Sequence, residues 1–197
     1  MMHNTSLVSI NMKNNDYGPN VGKKWAAAIG RNIGLTDIDF SSNDLGKVSY
    51  LGGDPDELGV MMKKALSNNN QLTSLNFSGC HFDTKTFIAI CGAFMNMDAM
   101  RVLKLDDLLL NEACTLQLCN ALEGSPISIL SIARCQIGDS SKAATLLANS
   151  MCFLQSLTKL DLGGNILGPR CCEKLAEAFQ SDGMQVRTTS EATMLLE

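Results

Sequence analysis

Residues 157–180 read LTKLDLGGNILGPRCCEKLAEAFQ. Leu160-Asp161-Leu162 alternates apolar and polar with period 2, as a short strand buried on one face does. After Gly168-Pro169 the apolar set becomes Leu175, Ala178 and Phe179, at the i, i+3, i+4 spacing of a helix. The stretch is therefore one strand, a tight turn and one helix. Such a unit cannot bury its own apolar face, so it implies copies of itself.

Laying L-x-x-L-x-L-x-x-N-x-L along the chain finds those copies. They are Leu7-Ile10-Met12-Asn15-Tyr17, Leu35-Ile38-Phe40-Asn43-Leu45, Leu72-Leu75-Phe77-Cys80-Phe82, Met100-Leu103-Leu105-Leu108-Leu110 and Ile127-Leu130-Ile132-Cys135-Ile137. The quoted stretch is the sixth. Repeats start near 7, 35, 72, 100, 127 and 157, so the spacings are 28, 37, 28, 27 and 30. Six matches at near-constant spacing do not arise by accident.

The helical positions align as well. Trp25, Met62, Ile90, Leu118 and Leu175 share one slot, and Ile29, Leu66, Phe94, Leu122 and Phe179 another. In the fifth repeat Ala144, Leu147 and Met151 are shifted by a residue or two. Asn15, Asn43, Cys80, Cys135 and Asn165 occupy the bend after each strand, where a buried amide can satisfy backbone groups that the turn leaves unpaired. Cysteine is a compact, buriable substitute there.

On these residues the chain resembles leucine-rich repeat proteins, and the long repeat with a full helix resembles their ribonuclease-inhibitor-like class. The resemblance spans roughly residues 5–180. It implies an α/β fold: a right-handed solenoid bent into a horseshoe arc, with about six strand–helix repeats, a parallel sheet on the concave side and helices on the convex side. Two departures stand out. Leu108 replaces the Asn or Cys of the turn, which puts the fourth repeat's turn hydrogen bonds in question, and the second repeat is longer than its neighbours (37 residues against 28). The expected organisation is a single solenoid domain over 1–197, with 181–197 a terminal extension or cap, or a short targeting signal.

Composition narrows the function. The 197 residues carry a net charge of −4, which disfavours nucleic acid and anionic membrane surfaces as partners. No run of 18 apolar residues exists to span a bilayer. The opening MMHNTSLVSINMK lacks a basic region followed by an apolar stretch. The eight cysteines fall in turn slots or helix segments without C-x-x-C spacing. Cys80-His81 as zinc ligands and Cys171-Cys172 as an oxidation sensor are less economical readings than packing positions. Free buried thiols suit a reducing, cytoplasmic location.

Between the second strand and its helix lies the insertion GKVSYLGGDPDE. Asp54-Pro55-Asp56-Glu57 reads as an N-cap, a proline at the first helical position and a glutamate completing a capping box. Lys47 to Gly53 is then a loop, with Tyr50 a candidate contact residue. Asp83 and Asp139 are further N-cap candidates, and Asn68-Asn69-Asn70 a simple polar turn.

Residues flanking the buried strand positions point to the concave face. One row is Ser9, Asp37, Ser74, Val102, Ile129, Lys159, and the next is Asn11, Asp39, Asn76, Lys104, Ser131, Asp161. A third row holds Asp106, with Asp107 and Arg134 just beyond. Val102 and Ile129 are the apolar pair, rimmed by Lys104, Asp106 and Arg134, and an apolar centre in a polar rim is how interfaces are built. With two histidines and no phosphate loop, nucleophile motif or metal-ligand set, no catalytic or metal residue, cofactor or small-molecule substrate is expected. Asp37 and Asp39 could pair as carboxylates but read better as binding or solubility residues. The expectation is a scaffold that binds a protein partner. The alternatives are an enzyme regulator resembling the Ran GTPase-activating proteins, with Arg134 as the arginine placed to reach a nucleotide, or a microbial effector that binds a host protein.

Overall fold

Each strand is only three residues long, because the apolar–polar alternation ends where the turn slot begins. The structure, a computed structural model, describes residues 4, 6–46, 54–138 and 142–180 of the chain. Along it run β1 (Ser9–Asn11), α1 (Pro19–Ile29), β2 (Asp37–Asp39), α2 (Pro55–Ser67), β3 (Ser74–Asn76), α3 (Thr84–Phe94), β4 (Val102–Lys104), α4 (Glu112–Leu122), β5 (Ile129–Ser131), α5 (Lys142–Met151), β6 (Lys159–Asp161) and α6 (Gly168–Gln180). The six strands form one all-parallel sheet in sequence order. Parallel neighbours require a crossover, and each helix supplies it. Among the described residues each helix packs on the helices before and after it, the pattern of a solenoid.

The core is the aliphatic column read from the repeats. Ile38, Leu75, Leu103 and Leu130 stack in register between sheet and helices and are at most 2% exposed. Among the described residues the ring-to-ring contacts gather in the first three repeats. The Phe40 ring meets Tyr17 edge-on at 6.2 Å, Trp25 at 5.9 Å and Phe77 at 6.1 Å, and Phe77 meets Phe82 at 5.3 Å. In the fifth repeat Ala144, Leu147 and Met151 are buried, so the shifted helix still fills its layer.

The turn slots form a ladder in which each side chain serves the repeat before it. Asn43 donates to the Met12 and Phe40 carbonyls (2.9 and 2.8 Å) and accepts from the Asn15 N–H (2.9 Å). Asn165 donates to Ile132 O and Leu162 O and accepts from the Cys135 N–H. The cysteines keep both functions in weaker form. The Cys80 thiol donates to Phe40 O and the Cys135 thiol to Leu105 O, both at 3.2 Å, while the Asn43 and Leu108 N–H groups face the two sulfurs. Leu108 can do neither. Because the ladder reaches backwards, the gap falls on the third repeat as well: the Cys80 N–H turns to its own Phe77 carbonyl at 3.2 Å. At the last repeat the Asn165 N–H does the same with Leu162 O at 3.4 Å. Asn15, at the other end, is exposed and bonds within its own turn.

Caps and loops depart from expectation in three places. Asp54 caps α2 by accepting from Asp56 N, but Glu57 reaches across to Lys23 of α1 (2.6 Å) rather than back to the cap, because the neighbouring helix presents a cation. Asp83 caps α3 as expected, accepting from Thr86 N at 2.8 Å. Asn69 is no simple turn residue: it is buried, donates to Asn32 O and accepts from Gln71 N, tying two repeats together. Before the insertion Gly46 lies flat against the third repeat, where a Cβ would come within 2.2 Å of His81 O. Lys47 to Gly53 with Tyr50, Asp139 and residues 181–197 lie outside the described residues.

Two stability predictions follow from the ladder and the thiols. Asn43→Leu strands the buried Phe40 carbonyl and the part-buried Met12 carbonyl and Asn15 N–H, and should cost about 2–4 kcal/mol in urea unfolding. Asn15→Leu, the same change at an exposed end, should cost less than about 1 kcal/mol; equal losses would refute the buried-ladder account. Burial also pushes the Cys80, Cys91 and Cys114 thiols up, and Cys135 up to about 12. Unfolded thiols ionise near about 8.5, so the unfolded state alone loses these protons first. Their stabilisation is complete below that pH and falls as pH rises towards the folded values. The urea midpoint should drop from about pH 9 upwards, and a flat profile between pH 8 and 10.5 would contradict it.

Candidate functional site

The register of the sheet places the expected rows side by side. Ser9, Asp37, Ser74, Val102, Ile129 and Lys159 are successive partners, as are Asn11, Asp39, Asn76, Lys104, Ser131 and Asp161. Val102 and Ile129 are direct cross-strand neighbours and half-buried, next to exposed Lys104 and Lys159. Six strands at a spacing of about 4.8 Å make a face about 25 Å long, enough for one partner of modest interface size.

Much of the polar chemistry on this face is spent on ending the strands. Asn11, Asp39, Asn76 and Asp161 each accept the N–H two residues on, from Lys13, Ser41, Ser78 and Gly163, the local turn that Asx side chains favour. Asp39 also takes the Ser41 hydroxyl (2.6 Å) and the Asn76 amide (3.1 Å). Asp37 accepts from the Thr36 hydroxyl, so the two aspartates are held separately and do not share a proton site. In the fourth and fifth repeats Lys104 and Ser131 do not make that turn: Ser78 Oγ accepts the Asp106 N–H at 3.0 Å in the fourth, and the Asp106 carboxylate substitutes in the fifth. It accepts from Ser131 Oγ (2.5 Å), Ala133 N (2.8 Å) and Ser78 Oγ (3.3 Å).

Beyond the strands runs a row that sequence reasoning missed. Asn14, Ser42, Gly79, Asp107, Arg134 and Gly164, each just before a ladder slot, all have φ between +50° and +70°. Glycine, asparagine and aspartate tolerate this left-handed region, whereas arginine rarely visits it. At Arg134 two supports hold the conformation. The guanidinium forks onto Asp107, Nε to Oδ1 at 2.7 Å and Nη2 to Oδ2 at 2.8 Å. Gly164 leaves room for the arginine stem, since a Cβ there would meet Arg134 Cγ at 2.6 Å. The Arg134 hydrogen bonds hold the Asp107 carboxyl below the usual range. Both side chains are largely exposed, so the pair adds rigidity more than stability. The signal available in the sequence was the fixed offset of one residue before Asn or Cys.

The rim also exposes two large apolar residues in the slot after the ladder, Leu109 at 61% and Ile166 at 77%. His81, in that same slot, lies 3.4 Å from Asp44. All eight cysteines are free, six of them buried, with Cys152 half-buried and Cys172 exposed. Among the described residues no group of three or more His, Cys, Asp or Glu could hold a metal ion, and no helix is long and apolar enough to cross a membrane.

Residues 153–176 match the family described as Leucine Rich repeat. The fold is similar to the tropomodulin C-terminal domain of Caenorhabditis elegans, with a TM-score of 0.58 at 13% identity over 94% of this chain and 89% of that one. It is also similar to actin-binding site 2 of leiomodin-1, with a TM-score of 0.51 at 16% identity over 90% and 83% of the two chains. Identity this low speaks for the fold alone. With six strand–helix repeats, one parallel sheet and the Asn/Cys turn ladder, the chain carries leucine-rich repeats of the ribonuclease-inhibitor-like type and folds as their solenoid.

Proposed function

We propose that this solenoid is a non-enzymatic scaffold that binds a protein partner through its sheet face, centred on Val102 and Ile129. The observation that carries the reading is the cross-strand pair itself: two half-buried aliphatic residues in register on a face whose other outward positions are almost all polar. An apolar centre is what a partner can desolvate, and the surrounding polar groups fix its register. Asp37, Asp39, Asn76, Asp106 and Asp161 are already bonded within the sheet, so they offer a rigid, pre-ordered surface, which lowers the cost of association. The free thiols suit a reducing cytoplasm, where a partner would be met.

One similar structure is an actin-binding site of leiomodin-1, which makes actin the first partner to test. The regulator reading rests on Arg134, whose fork is taken by Asp107, so an arginine acting on a bound nucleotide would first have to leave that pair.

The test compares wild-type protein with a Val102→Asp/Ile129→Asp double variant in actin cosedimentation and in capture from cytosolic extract. Circular dichroism and melting should show the double variant folded, whereas Leu130→Asp, which buries an unpaired charge, should not fold. Wild-type binding weakened tenfold or more in the double variant is the expected result. Equal binding by both moves the site off the concave face. An Ile129→Asp variant that melts as Leu130→Asp does would invert the assignment of faces.

A further inference from the structure

The face is polarised along the solenoid, and the polarity indicates what docks on it. In its first two outward rows β1–β3 present Asp37 and Asp39 and no cation, whereas β4–β6 present Lys104 and Lys159 with one carboxylate, Asp161. The state of these charges differs even more than their count. Each nearby carboxylate is engaged: Asp106 by Ser131, Ala133 and Ser78, Asp107 by Arg134 through both oxygens, and Asp161 by the Gly163 N–H. Arg134 is consumed in turn by Asp107. Lys104 and Lys159 are exposed and have no carboxylate within ion-pair distance among the described residues.

The two unspent cations bracket the apolar pair. Lys159 neighbours Ile129 on the same row, one strand on, and Lys104 lies two residues beyond Val102 on the same strand. Two strand spacings of about 4.8 Å and two residues at about 3.3 Å separate the lysine positions by about 12 Å. An extended chain covers that distance in about four residues.

We infer that the partner docks an acidic, aliphatic segment over β4–β6: apolar side chains on Val102 and Ile129, flanked by carboxylates about four residues apart that meet Lys104 and Lys159. The inference rests on the proposed concave-face reading and adds the chemistry of the partner to it. A basic segment would leave both lysines facing like charge, and a purely apolar one would cover them without satisfying their ammonium groups. An acidic protein that keeps two free lysines beside its apolar pair selects its partner by charge there.

Selection from a random twelve-residue peptide display library against the intact chain tests this. Enriched peptides should pair aliphatic residues with Asp or Glu spaced about four apart, and their affinity should fall tenfold or more on a Lys104→Glu/Lys159→Glu variant and weaken with added salt. The same peptides should lose binding on Val102→Asp/Ile129→Asp, with folding of both variants confirmed by circular dichroism. Peptides that need Val102 and Ile129 but show no acidic bias and bind the lysine variant equally overturn the inference and leave the concave-face reading standing. Peptides indifferent to Val102 and Ile129, or no enrichment at all, overturn both.

Discussion

The turn after each strand holds this structure together. A three-residue strand makes too few sheet hydrogen bonds to define a repeat, and the chain then bends sharply, leaving backbone groups that water cannot reach. The Asn and Cys side chains bond those groups from the neighbouring repeat, so each turn is completed only when the next unit is in place. Stability is therefore a property of neighbours rather than of units, as expected for a quasi-one-dimensional array. Where the ladder lacks a rung, at Leu108, the preceding turn closes on itself in the same way as the turn of β6, after which no strand follows among the described residues.

That constraint shapes the exposed surface. The residue before each ladder slot takes the left-handed region, repeat after repeat, even before Leu108, so the bend itself and not the rung sets it. The side chains there are aimed outward by the backbone. In the fourth and fifth repeats they are Asp107 and Arg134, adjacent and of opposite sign, and their bidentate pairing follows from the repeat geometry. The Asx turns that end the strands use up carboxylates that a residue list would count as free. Asp39 and Asp106 each accept several bonds and are fixed parts of the frame. On β4–β6 the frame leaves an aliphatic pair and two lysines outside these bonds, with Leu109 and Ile166 exposed on the rim.

The periodic features were legible in the sequence. Rows such as Asp37-Ser74-Val102-Ile129 came out in their observed register because side-chain alternation and repeat spacing determine them, and Asp83 was recognisable as a cap from its place before a helix. Features depending on what lies across a repeat boundary were not. Glu57 has the spacing of a capping box, yet Lys23 on the preceding helix holds it instead. Asn69 looks like one of three equivalent turn residues, but only it reaches Asn32 of the neighbouring repeat. Leu108 was visible as a departure, while its effect on the turn before it needed the direction of the ladder. The left-handed row shows no shared residue type, since serine, arginine, aspartate, asparagine and glycine all occupy it, and only the offset reveals it.

The position of the proposed site within the array bears on its rigidity. At the first repeat Leu7 and Val8 are exposed, Asn15 bonds within its own turn, and an open cavity of about 280 Å³ is lined by Leu7, Ile10, Trp25 and Leu35. Val102 and Ile129 lie in the interior instead, with strands on both sides and Asp106 tying Ser78, Ser131 and Ala133 across three consecutive repeats. A partner docking at the proposed site would meet a surface held by these bonds, with the entropy of ordering it already met in folding.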